Sequence, residues 1–250
     1  MRILLLLFGV FLLANTSFGQ RNIKDSTVQA VHLGVSYAFQ SPFGDLESRF
    51  GSNNNLGVLL NIKTEKNWFF GVDGTYIFGE EVHEPGLLSN LMTDDGEVID
   101  NEGKIANLQI QERGFSVIAT SGRLFPVVGP NNNSGILVKG GVGFIQHKIR
   151  LEHQVNAITQ LEDPYLKGYD RLTNGFALSQ FVGYYHMSNS RLANFFVGVE
   201  GIQGFTQSRR DLNYDTGMVD DQPRFDGLIG IRAGWCIHFY KRVGQDFYYN

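Results

Sequence analysis

Large apolar side chains alternate with small or polar ones along most of the chain, a period of two that is typical of β-strands. The first such stretch runs from Val31 to Phe39 and the last runs from Ile229 to Phe239. The eight stretches with this alternation lie at 31–39, 56–62, 68–78, 114–120, 136–144, 176–184, 195–200 and 229–239. The pattern therefore predicts an all-β fold of eight strands.

The less apolar face of these strands decides between a sandwich and a membrane barrel. The outer face of a soluble sandwich is rich in charged residues, whereas here the second face is mostly Gly, Ala and Ser. Such small residues suit the lumen of an eight-stranded barrel, which is only just wide enough for side chains. The large apolar face would then contact lipid, and rings near the strand ends, including those of Trp68, Tyr185 and Trp235, would form aromatic girdles. We expect a closed antiparallel up-and-down transmembrane β-barrel.

The lengths of the connections test this prediction independently. In chain order the connections are 40–55, 64–67, 79–107, 126–134, 148–173, 187–192 and 207–224, so long and short ones alternate. This alternation is typical of outer-membrane barrels with short periplasmic turns and long extracellular loops. The long loops also carry most of the acidic residues, and the stretches 97–100 and 104–106 suggest a hairpin above the membrane.

The first nineteen residues have the features of a secretory signal peptide. A positive charge at Arg2 precedes an apolar run at 3–14. The small residues Ser17 and Gly19 occupy the −3 and −1 positions of a cleavage site before Gln20. The apolar run is shorter than the ~20 residues that a spanning helix needs. We therefore expect a signal peptide at 1–19 and a barrel domain at 20–250.

Composition contributes mainly by exclusion. The 20 Phe, 10 Tyr and 2 Trp residues are too many rings for a disordered chain. A single Cys rules out a disulfide scaffold and any cluster of Cys metal ligands. The formal net charge of −4 gives no reason to expect a nucleic-acid partner. We predict no cofactor and no metal site.

The last strand resembles the assembly signal that ends outer-membrane barrels, with Arg232, Gly234, Ile237 and Phe239 at the matching positions. The segments 41–46, 49–51, 67–71, 239–242 and 246–249 are similar to small outer-membrane β-barrel proteins of Bacteroidota, a broad family that includes the PorT-like barrels associated with type IX secretion. The resemblance implies a multi-pass location in the outer membrane, contact with its lipid, and the barrel assembly machinery as a partner. It carries no catalytic signature.

Four charged residues fall on the inward face of the predicted strands, namely Asp73, Lys139, Glu200 and Arg232. An isolated charge in a low-dielectric lumen is costly, so we expect these two acids and two bases to pair. The favoured interpretation is a plug of ion pairs, because eight strands enclose little open lumen. The alternative is a polar pathway for a small solute.

No arrangement of catalytic residues stands out. His32 and His238 share the inward face near the periplasmic end, and Ser36 and Ser179 also face inward. The sequence lacks the Gly-x-Ser-x-Gly elbow that would position a serine nucleophile. We therefore expect no catalytic residues and no enzyme activity.

The long loops are the best candidates for function, because recognition usually resides on loops held by a rigid scaffold. Their apolar residues either fold over the barrel mouth or contact a partner protein; they are Leu87, Leu88, Leu91, Met92, Tyr165, Leu166, Tyr169 and Met218. We expect an envelope component that acts on a partner protein through loops 79–107, 148–173 and 207–224 or through its tail. The alternatives are an accessory barrel of a protein-export system, a small pore for polar solutes, and a lipid-modifying enzyme.

Overall fold

The computed structural model describes residues 26–153, 158–188 and 193–240. The expected signal peptide and the tail 241–250 lie outside these residues. The strands are β1 (Ala30–Gly44), β2 (Asn53–Lys63), β3 (Trp68–Gly79), β4 (Leu108–Phe125), β5 (Gly135–His153), β6 (Thr173–His186), β7 (Phe195–Ser208) and β8 (Arg224–Tyr240). Two short 3-10 helices lie at Thr159–Leu161 and Tyr165–Gly168. Within the described ranges, no helix has the length and apolar character needed to cross a membrane.

Each strand pairs antiparallel with the next one in the chain, and β8 pairs with β1 to close the ring. The closing register places Val35 opposite Trp235 and His32 opposite His238. Closure satisfies the backbone hydrogen bonds of every strand and leaves no sheet edge. The predicted fold, a closed antiparallel up-and-down barrel of eight strands, is confirmed.

The connections lie at two ends of very different size. The short ones, at 64–67, 126–134 and 187–194, share what we call the turn end. The other connections share the loop end and are numbered loop 1 (45–52), loop 2 (80–107), loop 3 (154–172) and loop 4 (209–223). Loops 2 to 4 are longer than every turn-end connection, but loop 1 is no longer than 126–134 or 187–194, so the predicted alternation of long and short connections does not hold there. In loop 2, isolated bridges join Met92 to Val98 and Ile99 to Ile105, where the sequence suggests a hairpin.

Side chains alternate strictly between the lumen and the outer surface along most strands. In β1 the lumen-facing His32, Ser36 and Gln40 are buried, whereas Leu33 and Val35 on the outer face are exposed. The outer face is thus the large apolar one, as the period-two pattern predicts.

The lumen is narrow enough to require glycine at some positions. A Cβ atom added at Gly34 would lie 2.7 Å from the backbone oxygen of Trp235 and 2.8 Å from Sγ of Cys236. A Cβ atom at Gly234 would lie 2.4 Å from the ring of Phe196. Small inward residues therefore reflect close packing across the lumen.

The strands run further towards the loop end than the predicted connections allow. The predicted connection 148–173 is wrong at its start, because residues 148–153 continue β5 and pair with 108–113 of β4. This extension lies beyond the band of exposed apolar side chains around the barrel, which we call the apolar belt. Its inward residues Ile149 and Leu151 are buried beneath the loops. The connection 40–55 is shorter for a similar reason, since β1 continues to Gly44 and β2 begins at Asn53.

Candidate functional site

The four charged residues predicted from the strand alternation meet in the middle of the lumen. Arg232 Nη1 lies 2.6 Å from Glu200 Oε1 and 3.3 Å from Asp73 Oδ2. Lys139 Nζ lies 3.0 Å from the same oxygen of Asp73. The side chains of Asp73, Glu200 and Arg232 are each only 5% exposed. The structure thus joins two acids and two bases, whose formal charges cancel, in one buried network.

Neutral side chains form hydrogen bonds with several polar atoms that the ion pairs leave without a partner. Arg232 donates from Nε and Nη2 to Ser36 Oγ, over 3.1 and 2.9 Å. Gln40 donates to Glu200 Oε2 over 3.2 Å. The hydrogen bonds then continue towards the loop end through Asn55, Thr75 and Ser116. Such a network fills the lumen, since a buried ion pair is stable only when its remaining polar atoms also find partners.

A small cavity lies between the charge cluster and the turn end. It is lined by Asp73 and Lys139 together with the rings of Phe69, Phe181 and Phe196. Its volume, counted as the space open to the centres of water molecules, is about 30 Å³. Because one water needs roughly 10–15 Å³ by that measure, the cavity has room for only a few water molecules.

Tyr185 closes the lumen on the turn-end side of this cavity. Its hydroxyl lies 3.0 Å from His32 Nδ1 and 2.7 Å from His238 Nε2. The two histidine rings have centroids 4.2 Å apart, and Phe69 packs edge-on against the tyrosine ring. The placement of Tyr185 in an outer aromatic girdle is wrong, because this side chain points into the lumen and is buried.

The turn end itself is sealed by Lys63 and Asn133, which are both fully buried. Lys63 Nζ lies 2.9 Å from Asn133 Oδ1 and 3.1 Å from the backbone oxygen of Val28. The same Asn133 oxygen accepts from the Val28 backbone N–H over 2.9 Å, and Asn133 Nδ2 donates to the Ser26 carbonyl over 2.9 Å. These contacts, which we call the turn-end seal, fasten the segment before β1 across the mouth of the barrel.

At the opposite end, each of the four loops contributes one charged residue to a second buried network. Arg171 of loop 3 lies 2.7 Å from Asp215 of loop 4 and 3.3 Å from Glu84 of loop 2. Arg49 of loop 1 lies 2.6 Å from the other oxygen of Glu84. The Arg171 side chain is 1% exposed. The four loops therefore form one assembly over the barrel mouth, which we call the cap.

Backbone geometry also centres on this network. Leu88 and Arg171 have φ values of 60° and 49°, a left-handed conformation that such residues rarely adopt. Both contact Asp215, which accepts from the Leu88 backbone N–H over 3.2 Å. Such conformations persist only where the surrounding contacts fix them, so the cap is a specific structure.

A further ion pair joins loops 3 and 4 at the rim of the cap. Arg210 Nε donates to Asp170 Oδ1 over 2.6 Å. This hydrogen bond raises the pKa of the Arg210 guanidinium above its ordinary value. The Arg210 guanidinium therefore stays positively charged in this pair.

Apolar residues of the loops divide between the inside and the outside of the cap. Leu87, Leu88 and Tyr169 are buried, and together with Phe50 they extend the hydrophobic core of the barrel upward. Leu91 and Leu166 pack against this core. Met92, Tyr165 and Met218 are exposed, with Met218 65% exposed. Folding over the barrel mouth thus accounts for Leu87, Leu88, Leu91, Leu166 and Tyr169, whereas contact of the exposed residues with a partner protein stays a prediction.

The candidates for catalysis have structural contacts. The hydroxyl of Ser36 accepts from Arg232, and His32 and His238 bond to Tyr185. Ser179 lines the small cavity. In the part of the chain that the structure describes, no group of three or more His, Cys, Asp and Glu residues could hold a metal ion.

The residues of the expected assembly signal alternate across β8. Arg232 and Gly234 face the lumen, where Gly234 leaves room for the ring of Phe196. Ile237 and Phe239 face outward, and Phe239 is exposed. Recognition of this pattern by an assembly machinery stays a prediction.

The cap network was missed from the sequence, although one signal for it exists. Arg49 is the single base of loop 1 and precedes the apolar Phe50 in a stretch that is otherwise acidic, whereas loop 3 carries Lys167 as well as Arg171 and gives no such signal. A lone base in such a setting indicates a buried partner of opposite charge.

The attachment invasion locus protein Ail of Yersinia pestis is a solved structure similar to this chain, with 11% sequence identity, a TM-score of 0.38, and coverage of 84% of this chain and 99% of Ail. Neisserial surface protein A has 9% identity and a TM-score of 0.39, and the match covers 82% of this chain and 96% of that one. The outer membrane protein OprG from Pseudomonas aeruginosa has 11% identity and a TM-score of 0.39, and the match covers 88% of this chain and 100% of OprG. No family model and no curated protein matches the sequence. The strand number and the closure of the barrel rest on the chain's own strand pairing.

Proposed function

We propose that this chain is an integral outer-membrane barrel that does not conduct solutes and that presents its cap to a partner protein outside the cell. The observation that carries the proposal is the closure of the lumen at three levels: the cap, the central charge cluster and the turn-end seal. A protein built to pass solutes has no use for these three barriers, whereas a protein built to hold one loop arrangement does.

The outer surface supports membrane insertion. Large apolar side chains are exposed on all eight strands, and Val58 on β2 is 61% exposed. Soluble monomers rarely expose contiguous apolar patches larger than a few hundred Å². At the turn end, the guanidinium of Arg123 lies 5.5 Å from the centre of the Trp68 ring, an arrangement suited to the boundary between lipid and water. With lipid around this belt, the short turns face the periplasm and the cap faces outward.

The filled lumen favours this proposal over a small pore. The plug consists of Asp73, Lys139, Glu200 and Arg232, and these four side chains border the small cavity in the lumen. Planar-bilayer recordings of the purified chain are expected to show no steady conductance, next to a porin recorded in the same bilayers as a positive control. A large steady conductance of the wild-type protein would overturn the proposal.

One substitution in the plug separates stability from conduction. Among the described residues, Arg232→Met leaves Asp73 with Lys139 as its basic partner and leaves Glu200 with none, and breaking a buried pair costs about 3–5 kcal/mol. We expect a lower melting temperature and still no conductance, because the cap and the turn-end seal remain closed. Lys139→Met, which removes the more exposed of the two bases, is expected to destabilise the barrel less.

The cap supports the recognition role. It is held in one arrangement by buried ion pairs, yet it exposes large apolar side chains, including Ile105, Met218 and Val219. A photo-crosslinking residue at Met218 is expected to capture a partner on whole cells, whereas one at Val127, which is exposed at the turn end, is expected not to capture it. If a deletion strain also lost secreted cargo, the accessory role in export would replace the general one. Capture at neither position would remove the recognition role.

A further inference from the structure

The apolar belt is interrupted on one wall of the barrel. The strand register places Ser121 of β4, Gly140 of β5, Gln180 of β6 and Gly201 of β7 side by side. By alternation all four face outward, and the first three are exposed. We call this row the polar band.

Gln180 lies midway along the outward face of β6. The next outward residues are Leu178 and Val182, and beyond them the aromatic residues Phe176 and Tyr184. At about 3.3 Å per residue, the two rings are each roughly 13 Å along the strand from Gln180. If the aromatic residues mark the two boundaries of the bilayer, the Gln180 amide lies in the hydrocarbon layer.

The neighbours of Gln180 leave its amide uncovered. A Cβ atom added at Gly140 would meet only the backbone oxygen of Ser179, at 3.9 Å. On the other side, the Gln180 side-chain oxygen lies 3.4 Å from a Cβ position built at Gly201. Across the residues that the structure describes, the Gln180 amide makes no hydrogen bond. The band is therefore a shallow notch with an unpaired carboxamide at its centre.

The opposite wall shows what an ordinary stretch of this belt contains. There the outward Gly74 of β3 lies between Val58 of β2 and Val117 of β4. The valine side chains have no hydrogen-bonding groups, so they can contact lipid tails without leaving a polar atom unpaired. Glycine alone does not distinguish the polar band; the unpaired amide does.

Lipid tails offer neither donors nor acceptors, so an amide left among them is unfavourable. A carboxamide carries both a donor and an acceptor, and two copies related by a two-fold axis can therefore satisfy each other. Glycine on both sides lets two backbones approach closely, as small residues do in other membrane contacts. We propose that the polar band is a contact surface within the membrane for a second copy of this chain, with the two Gln180 amides hydrogen-bonded to each other.

The proposal rests on the proposed insertion into the membrane, but it needs neither the recognition role of the cap nor a closed lumen. Flotation of the purified chain with lipid vesicles tests insertion separately. A chain that floats but does not pair would contradict the contact surface alone, and a chain that does not float would contradict both.

Cysteine crosslinking tests which wall pairs. In a Cys236→Ala background, Val182→Cys, at the next outward position of β6, keeps the Gln180 amide and is expected to give a disulfide-linked dimer when an oxidant is added to vesicles that contain only this chain. The matched control is Val58→Cys on the opposite wall, where the valine is 61% exposed against 52% for Val182, and it should give only collisional background. Equal crosslinking of Val182→Cys and Val58→Cys would overturn the proposal, and so would crosslinking of Val182→Cys in cells to a chain of different identity.

A second variant tests the amide itself. Gln180→Leu keeps the size of the side chain and makes the lipid-facing surface more apolar, so the barrel is expected to fold as well as the wild type. Energy transfer between labelled copies should show dimerisation weakened about tenfold, the change expected when one or two buried hydrogen bonds are lost. Val58→Leu should leave dimerisation unchanged, and an unchanged dimer in Gln180→Leu would overturn the proposal.

Discussion

The two ends of the lumen are closed by different chemistry. At the loop end, ionised groups from four separate loops meet, with Arg171 between Glu84 and Asp215. At the turn end, the closure uses the amide of Asn133, backbone carbonyls and one ammonium group, that of Lys63. The short turns are already placed by the strands they join, whereas long loops have many arrangements to exclude.

This difference explains where charge is worth burying. A buried ion pair contributes little net stability compared with an apolar pair, but a wrong arrangement leaves its charges unpaired and is strongly disfavoured. The cap thus uses Arg171 to select one arrangement of the loops, and the turn end needs no such selection. A selected arrangement is what a recognition surface requires.

The largest expected effect concerns which end faces the outside of the cell. A cysteine replacing Asn101 in loop 2 should react fully with a membrane-impermeant reagent on whole cells, and one replacing Asn132 in the turn 126–134 should not react. Both positions are exposed, so access alone decides the outcome. The native Cys236 is buried and serves as an unreactive control. Reaction at Asn132 and protection at Asn101 would reverse the assignment of the two ends.

The next effect tests the centre of the cap. Arg171→Met leaves Glu84 without one partner and Asp215 without its guanidinium, and such a break costs about 3–5 kcal/mol. Hydrogen exchange and proteolysis should show loops 2 and 4 opening while the paired strands stay protected. Arg209→Met is the matched control, because Arg209 is exposed at the rim. Unchanged protection of loops 2 and 4 would contradict the selecting role of Arg171.

The cap and the lumen also differ in what could be predicted from sequence. The charges of Asp73, Glu200 and Arg232 were placed together because each lies on a strand, where a period of two fixes the direction of every side chain. Loops have no such period. The ion pairs of Glu84 with Arg49 and Arg171 join positions 35 and 87 residues apart, and only the folded loops bring them together.

Tyr185 shows the limit of an argument from strand ends. Tyr184 and Tyr185 are adjacent rings near the end of β6, and proximity to the end placed both in the girdle. The pleat sends consecutive side chains to opposite faces, so only one of them can face outward. Tyr184 does, and Tyr185 bonds to His32 and His238 in the lumen. Strict use of the alternation would have placed Tyr185 correctly.

A smaller effect is expected at the turn end from Asn133→Ala. This change removes the side-chain contacts to Val28, Lys63 and Ser26, and leaving buried polar groups unpaired costs about 1–3 kcal/mol. Faster exchange of the Val28 amide, with cap protection unchanged, is the expected result. The neighbouring exposed Asn132→Ala controls for the turn itself. If Asn133→Ala opened the cap as well, the two closures would not be independent.

The smallest effect is expected from Lys63→Met, which tests whether charge matters at this end at all. Lys63 Nζ contacts the oxygens of Val28, Thr64 and Asn133, and no carboxylate pairs with it among residues 26–153, 158–188 and 193–240. Methionine, which has a similar length, removes a buried ammonium group without leaving a carboxylate unpaired. Asn133 Oδ1 still accepts the hydrogen bond from the Val28 backbone N–H.

Denaturant unfolding in micelles should therefore differ from wild type by less than about 1 kcal/mol, in either direction, against the several kcal/mol of Arg171→Met. A loss for Lys63→Met as large as that for Arg171→Met would mean that the turn end, too, depends on a buried charge. The contrast between the ends would then lie in the lengths of their connections and not in their chemistry.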